Sequence, residues 1–137
     1  VCKYEVRKKK MKRLSIFFVS VMLTGCALFP SQFDAQEQNA IVDLVVMSRS
    51  ELCRTPEIAT HAQAINLRAE WLQVYSSSLP NNEKIQAMNT NMVTMTQDLA
   101  KRYQGDAAAS RFFCETRMKN INQAARTMLD VSGRRPR

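Results

Sequence analysis

The chain has 137 residues, twenty Lys and Arg against twelve Asp and Glu, and a formal charge of +8 at pH 7. Residues 1 to 25 hold seven of the basic residues (Lys3, Arg7, Lys8, Lys9, Lys10, Lys12, Arg13) and one acid, Glu5, so the 112 residues from Cys26 onward carry thirteen against eleven. Nothing in that balance requires the dense positive patch of a nucleic-acid binder, three glycines supply neither a dinucleotide nor a phosphate loop, and the length suffices for one small core.

The strongest local signal lies at the start. Lys12 and Arg13 precede the apolar run LSIFFVSVML from Leu14 to Leu23, and Leu23-Thr24-Gly25-Cys26 closes it. As helix the run would span about 15 Å, half a bilayer core, so residues 1–25 read as a signal peptide. Met11 is its natural beginning, and VCKYEVRKKK fits an upstream choice of start codon. The closing LTGC resembles the lipobox of bacterial lipoproteins, in which the cysteine sulfur receives diacylglycerol and the new amino terminus is acylated after cleavage. That resemblance implies lipidation of Cys26, with each buried CH₂ of the acyl chains contributing roughly 0.8 kcal/mol to an effectively permanent anchor. It also implies an address: Ala27, rather than Asp, follows the cysteine, which goes with the outer membrane and a domain facing the periplasm.

Two of the four cysteines are thereby used, Cys2 in the leader and Cys26 for lipid. Cys53 and Cys114 remain as a pair in an oxidising compartment. A disulfide between them would close a loop of 61 residues, for which the chain-entropy relation gives about 4 kcal/mol. Two separate buried thiols, or a reactive cysteine, are the alternatives; no CxxC pair or metal-like spacing supports the latter.

Residues 26–35 carry Pro30 and no sustained period, and read as a lipidated terminus and tether. The domain, 36–131, reads as all-α. A first helix from about Ala35 to Leu52 places Ile41, Leu44, Val45, Ser48 and Leu52 on one face, with Val42 and Val46 extending the apolar stripe beyond what one face needs. Thr55-Pro56-Glu57 has the cap, first-position proline and early acid of a second helix, whose stripe is Ile58, Ala62, Ile65, Ala69 and Leu72 and which ends near Tyr75. SSSLPNNE turns the chain, with Asn81 or Asn82 as the next cap. A third helix, about Asn82 to Gln104, repeats the period in Ile85, Met88, Met92, Met95, Leu99 and Tyr103, and Gly105 can stop it. Asp106 is the expected cap of a fourth, with the stripe Cys114, Met118, Ile121, Ala125 and Met128 and with Phe112 and Phe113 at its beginning. Short connections favour antiparallel neighbours. A Cys53–Cys114 bond is expected to require an offset or a marked crossing of the outer helices, hence an irregular bundle. Residues 132–137, SGRRPR, read as a basic disordered tail.

Catalytic chemistry finds little to stand on. His61 is the one histidine and follows Glu57 by four, which is half a metal site at most and more simply a capping or solvated side chain. Asp98, Asp106, Glu115 and Asp130 are scattered over helix surfaces and caps, and Ser76 to Ser78 read as a turn. No cofactor is implied, and the chain is not read as an enzyme. The methionines of the third and fourth helices suit either an adaptable core or a groove for another helix. Trp71 and Tyr75 stand at the end of the second helix, where an aromatic can cover the core edge or anchor a partner.

The leader ending in LTGC at Cys26, a mature domain of about 110 residues, four helices, and a cysteine pair placed after the first helix (Cys53) and early in the last (Cys114) together resemble the small helical pilotins of bacterial type II secretion, the PulS/OutS-like family. The resemblance implies an escort that binds the C-terminal segment of a secretin subunit, which becomes helical on binding. The lipoprotein-sorting machinery then carries the complex to the outer membrane, where the acyl chains hold it in lipid. A groove between helices would take the segment, and the surplus apolar positions Val42, Leu44, Val45, Val46 and Trp71 are its candidates. The alternative, from another class, is an outer-membrane exclusion lipoprotein of phage or plasmid type that blocks a receptor.

Overall fold

The computed structural model describes residues 31–104 and 109–137. The expected leader, Cys26, Ala27, and the caps Gly105 and Asp106 lie outside the described residues. Within them the protein is four helices, α1 (Ala35–Met47), α2 (Ile58–Ser78), α3 (Glu83–Arg102) and α4 (Arg111–Gly133), with a 3-10 turn, Ser50–Arg54, after α1. No strand occurs among the described residues.

Side-chain caps start α1 and α4. Asp34 caps α1, its carboxylate accepting the Glu37 N–H at 2.8 Å. α1 stops at Met47 and not at Leu52, and side chains of other helices take the carbonyls that a further turn would have used: Asn122 Nδ2 donates to the Val45 carbonyl at 2.8 Å and His61 Nε2 to the Met47 carbonyl at 2.7 Å. The next five residues wind as 3-10. Thr55 bonds back, its hydroxyl donating to the Leu52 carbonyl at 2.9 Å, and the N-cap position of α2 falls on Glu57. The α2–α3 turn uses Asn81 at φ 54°, a left-handed conformation that Asn adopts more readily than most residues. Ser110 caps α4, accepting the Phe113 N–H at 3.2 Å.

The helices run up, down, up and down around one core, each packed on its two neighbours in chain order and α4 closing on α1. Cross-contacts fix the antiparallel sense. His61 meets Met47 and Tyr75 meets Asp34 between α1 and α2; Asn122 meets Val45 and Arg135 meets Glu37 between α1 and the α4 end. Ala40, Ile41 and Leu44 meet Ala62, Ile65, Ala69 and Leu72, the α3 residues Ile85, Met92 and Leu99, and all five expected α4 positions, every one fully buried. Met92, Met118 and Met128 are therefore core, with Met88 and Met95 packed against it.

Two expectations are corrected here. The exit of α1 and the entry of α4 fall at the same end of the bundle, so the Cys53–Cys114 disulfide (Cα–Cα 5.8 Å) joins neighbouring ends. The irregularity of the bundle lies instead in α1, which spans 13 residues against 20 to 23 in the others. The tail is ordered: α4 continues to Gly133, Arg135 is nearly buried, and the Phe33 N–H donates to the Pro136 carbonyl at 2.9 Å.

Candidate functional site

The five groove candidates separate. Leu44 is fully buried in the core and out of a partner's reach, and Val45 is half-buried, packed against that core. Their place on α1 is one turn after Ile41, on the side that faces α2 and α4. Val42 and Val46 are 39% and 48% exposed, and Trp71 on α2 is 41% exposed. Surplus apolar character along AIVDLVVM is thus divided between the core and solvent, as the alternation of helix faces dictates.

Trp71 belongs to a ladder along the α1–α2 seam. The Arg68 guanidinium donates to the Asp43 carboxylate and lies 4.7 Å from the centre of the Trp71 ring, a distance at which a cation is drawn to the aromatic face. Trp71 stacks on Tyr75 with centroids 5.0 Å apart and planes 7° apart. Tyr75 donates to both carboxylate oxygens of Asp34, at 3.2 and 3.3 Å. Desolvation, then the bond to Asp34 and the negative charges of Asp34 and Glu37, raise the Tyr75 pKa above its ordinary value. Beside this ladder, Leu67 and Val74 are also exposed on α2. With Trp71 they stand at i, i+4 and i+7, one face of a helix. That spacing was available in the sequence, as a second stripe offset from the core stripe.

At the end where the chain enters, a buried polar network replaces apolar contact. Glu37 is fully buried, and its carboxylate accepts from Arg135 Nη1 at 2.7 Å and from Asn82 Nδ2 at 2.6 Å. Arg135 Nη2 donates to Asn82 Oδ1. Asn82 also donates to the Ser76 carbonyl at 3.0 Å, and Asn89 to the Ser76 hydroxyl at 2.7 Å. Arg137 lies over the Phe33 ring at 5.3 Å. Charges and amides separated by up to 98 residues meet here, and no local pattern in the sequence marks them.

The opposite end carries the disulfide and an open groove of about 850 Å³ between the 3-10 turn and α4, lined among others by Arg49, Glu51, Phe112, Glu115, Lys119 and Arg126. Phe112 is 79% exposed there, while Phe113 packs against the core.

The candidate catalytic groups remain apart. His61 donates through Nε2 to the Met47 carbonyl at 2.7 Å, satisfying an end of α1. Asp98 pairs with Arg117 and Asp130 with Arg134, each at 2.7 Å. Glu115 pairs with Arg111 at 2.7 Å and Arg54 at 3.7 Å. Among the described residues no group of His, Cys, Asp and Glu is placed to hold a metal ion, and no helix is long and apolar enough to cross a membrane.

Comparison with known protein families, with characterised proteins and with solved structures finds no match to this chain.

Proposed function

We propose that the protein is a lipid-anchored escort of the pilotin type, held at the outer membrane through Cys26 and binding the C-terminal segment of a secretin subunit on the α1–α2 face. The observation that carries the reading is the exposure of Val42 and Val46 on α1 and of Leu67, Trp71 and Val74 on α2, outside a core that is already closed by sixteen buried residues. Apolar anchors at helical spacing suit a partner that docks as an amphipathic helix. The Arg68–Asp43 and Tyr75–Asp34 bonds tie α1 to α2 along this face, and a pre-organised surface costs less to bind. Lipid attachment then turns recognition into localisation, a task that calls for no catalytic group.

The test is calorimetry of the lipid-free domain with the secretin C-terminal peptide. Micromolar or tighter binding is expected, weakened by Val46→Asp and by Trp71→Ala with helicity unchanged. Absence of heat and of any spectral change would reject the escort role and favour the exclusion lipoprotein. Labelled palmitate should enter the wild type and not Cys26→Ser, and Ala27→Asp should shift part of the protein toward the inner membrane.

A further inference from the structure

The groove between the 3-10 turn and α4 lies at the far end of the bundle from the α1–α2 ladder's Asp34, and the escort role does not use it. Its charge is basic on balance. Arg49, Lys119 and Arg126 line it, against Glu51 and Glu115. Glu115 is already engaged: the hydrogen bond from Arg111, helped by the charges of Arg111 and Arg54, holds its carboxyl below the ordinary carboxylate range although desolvation opposes this. Arg54 and Arg111 flank the groove and add two more positive charges. Five basic residues against two acids thus gather at one place in a body that carries thirteen against eleven from Cys26 onward. Arg126 turns its Nε onto Asn122 Oδ1 at 2.8 Å, and Asn122 is itself fixed to the Val45 carbonyl at 2.8 Å, so the α4 wall is set by hydrogen bonds on both sides.

Phe112 adds an apolar anchor at the mouth. An aromatic ring 79% exposed at the second residue of a helix whose next residue is packed into the core is a surface that a partner can cover with gain. The groove is open along one side and walled by charged side chains, unlike the enclosed apolar pockets that take small molecules. Its shape favours an acidic polypeptide over an anionic lipid surface. A docked segment can follow such a walled groove along α4, whereas a lipid surface meets a protein as a plane. The chain enters the bundle at Ser31 beside the start of α1, and the groove begins at Ser48, after its end; thirteen helical residues separate the two ends by about 20 Å.

We propose that this groove docks an acidic segment of a partner protein, its carboxylates over Arg49, Lys119 and Arg126 and an apolar side chain on Phe112. The probes are two fluorescein-labelled peptides of about twelve residues, a length suited to docking along one helix, sharing the same Leu and Phe positions. One carries Asp and Glu elsewhere, the other Lys, and vesicles containing phosphatidylglycerol form a third arm. The acidic peptide is expected to bind the lipid-free domain about tenfold more tightly than its Lys counterpart, with the advantage shrinking as salt rises. Lys119→Glu combined with Arg126→Glu should remove that advantage, and Phe112→Ser should weaken the acidic peptide severalfold. Should the double variant lose its helical spectrum, Arg49→Glu, at an exposed position, carries the same expectation. Equal binding of the two peptides, binding of neither, indifference to charge reversal, or preference for the vesicles would each overturn the proposal. The secretin peptide separates it from the escort role: binding weakened by Val46→Asp and indifferent to Lys119→Glu leaves that role standing whatever the acidic probe does.

Discussion

The two ends of the bundle are closed by different physics. At one, Cys53 and Cys114 are joined covalently; at the other, Glu37, Arg135, Asn82 and Ser76 are joined by buried hydrogen bonds and one ion pair. A disulfide acts largely on the unfolded chain, by removing conformations that it could otherwise reach. A buried ion pair acts on the folded state, where each partner makes the other's desolvation tolerable. The first closure should therefore be indifferent to which side chains surround it, and the second acutely sensitive.

Reduction, or replacement of both cysteines by Ala, should have the largest effect, a loss of about 4 kcal/mol for a 61-residue loop, which in a domain of this size lowers Tm on the order of 15 °C. Far-ultraviolet dichroism of the reduced protein in the cold should still report four helices, because the folded contacts are intact. Arg135→Ala should follow, costing about 3 kcal/mol in urea unfolding since it strands the Glu37 carboxylate in a dry site. Adding Glu37→Gln should restore part of that loss; failure to restore any would mean that the pair contributes through the packing of the tail and not through its charge. His61→Ala removes the bond to the Met47 carbonyl and should cost roughly 1 kcal/mol.

The smallest effects are in pH, and the two ends should show them with opposite sign. Tyr75, bonded to Asp34 at the polar end, is raised above its ordinary 10.0. Its contribution to stability is present below that value and is lost as pH rises through the folded one. Spectrophotometric titration should place its phenolate late in the wild type and earlier in Asp34→Asn. Glu115, at the disulfide end, is lowered from 4.5 by Arg111 first. Its contribution is present above the unfolded value and is lost as pH falls through the folded one, so Glu115→Gln should flatten the acid limb of a stability-against-pH curve.

What could be read from the sequence was whatever repeats at helical period. The stripe Cys114, Met118, Ile121, Ala125, Met128 is buried throughout, because every fourth or third residue of a straight helix faces the same way. The cysteine pair was readable by elimination. Where a helix stops was less so: α1 ends where Asn122 and His61 take the Val45 and Met47 carbonyls, partners 77 and 14 residues away in the chain. The polar core was not readable at all. Asn89 and Thr96 occupy buried positions on α3, each directly after an expected methionine, and what makes them tolerable there is Ser76 and Asn66 on α2, a relation that exists only after folding. The groove candidates divide between core and surface for the same reason. An apolar run shows that burial is wanted, and only the neighbours decide whether Leu44 or Val46 receives it. The cationic groove was hidden in a near-neutral total, since a sum of charges has no direction.

The disulfide has a mechanical consequence as well. If cargo were to pull on α4 beside the groove while the start of α1 is held at a membrane, tension would run from α4 through Cys114 and Cys53 into α1 and out at Ser31. The stretch from Arg54 to Phe113, which contains α2 and α3, lies inside the covalent loop and off that line. More than half of the helical residues would then bear no tensile load, and an extension trace taken before and after reduction should differ by the length of that hidden loop, about 60 residues at roughly 3.5 Å each.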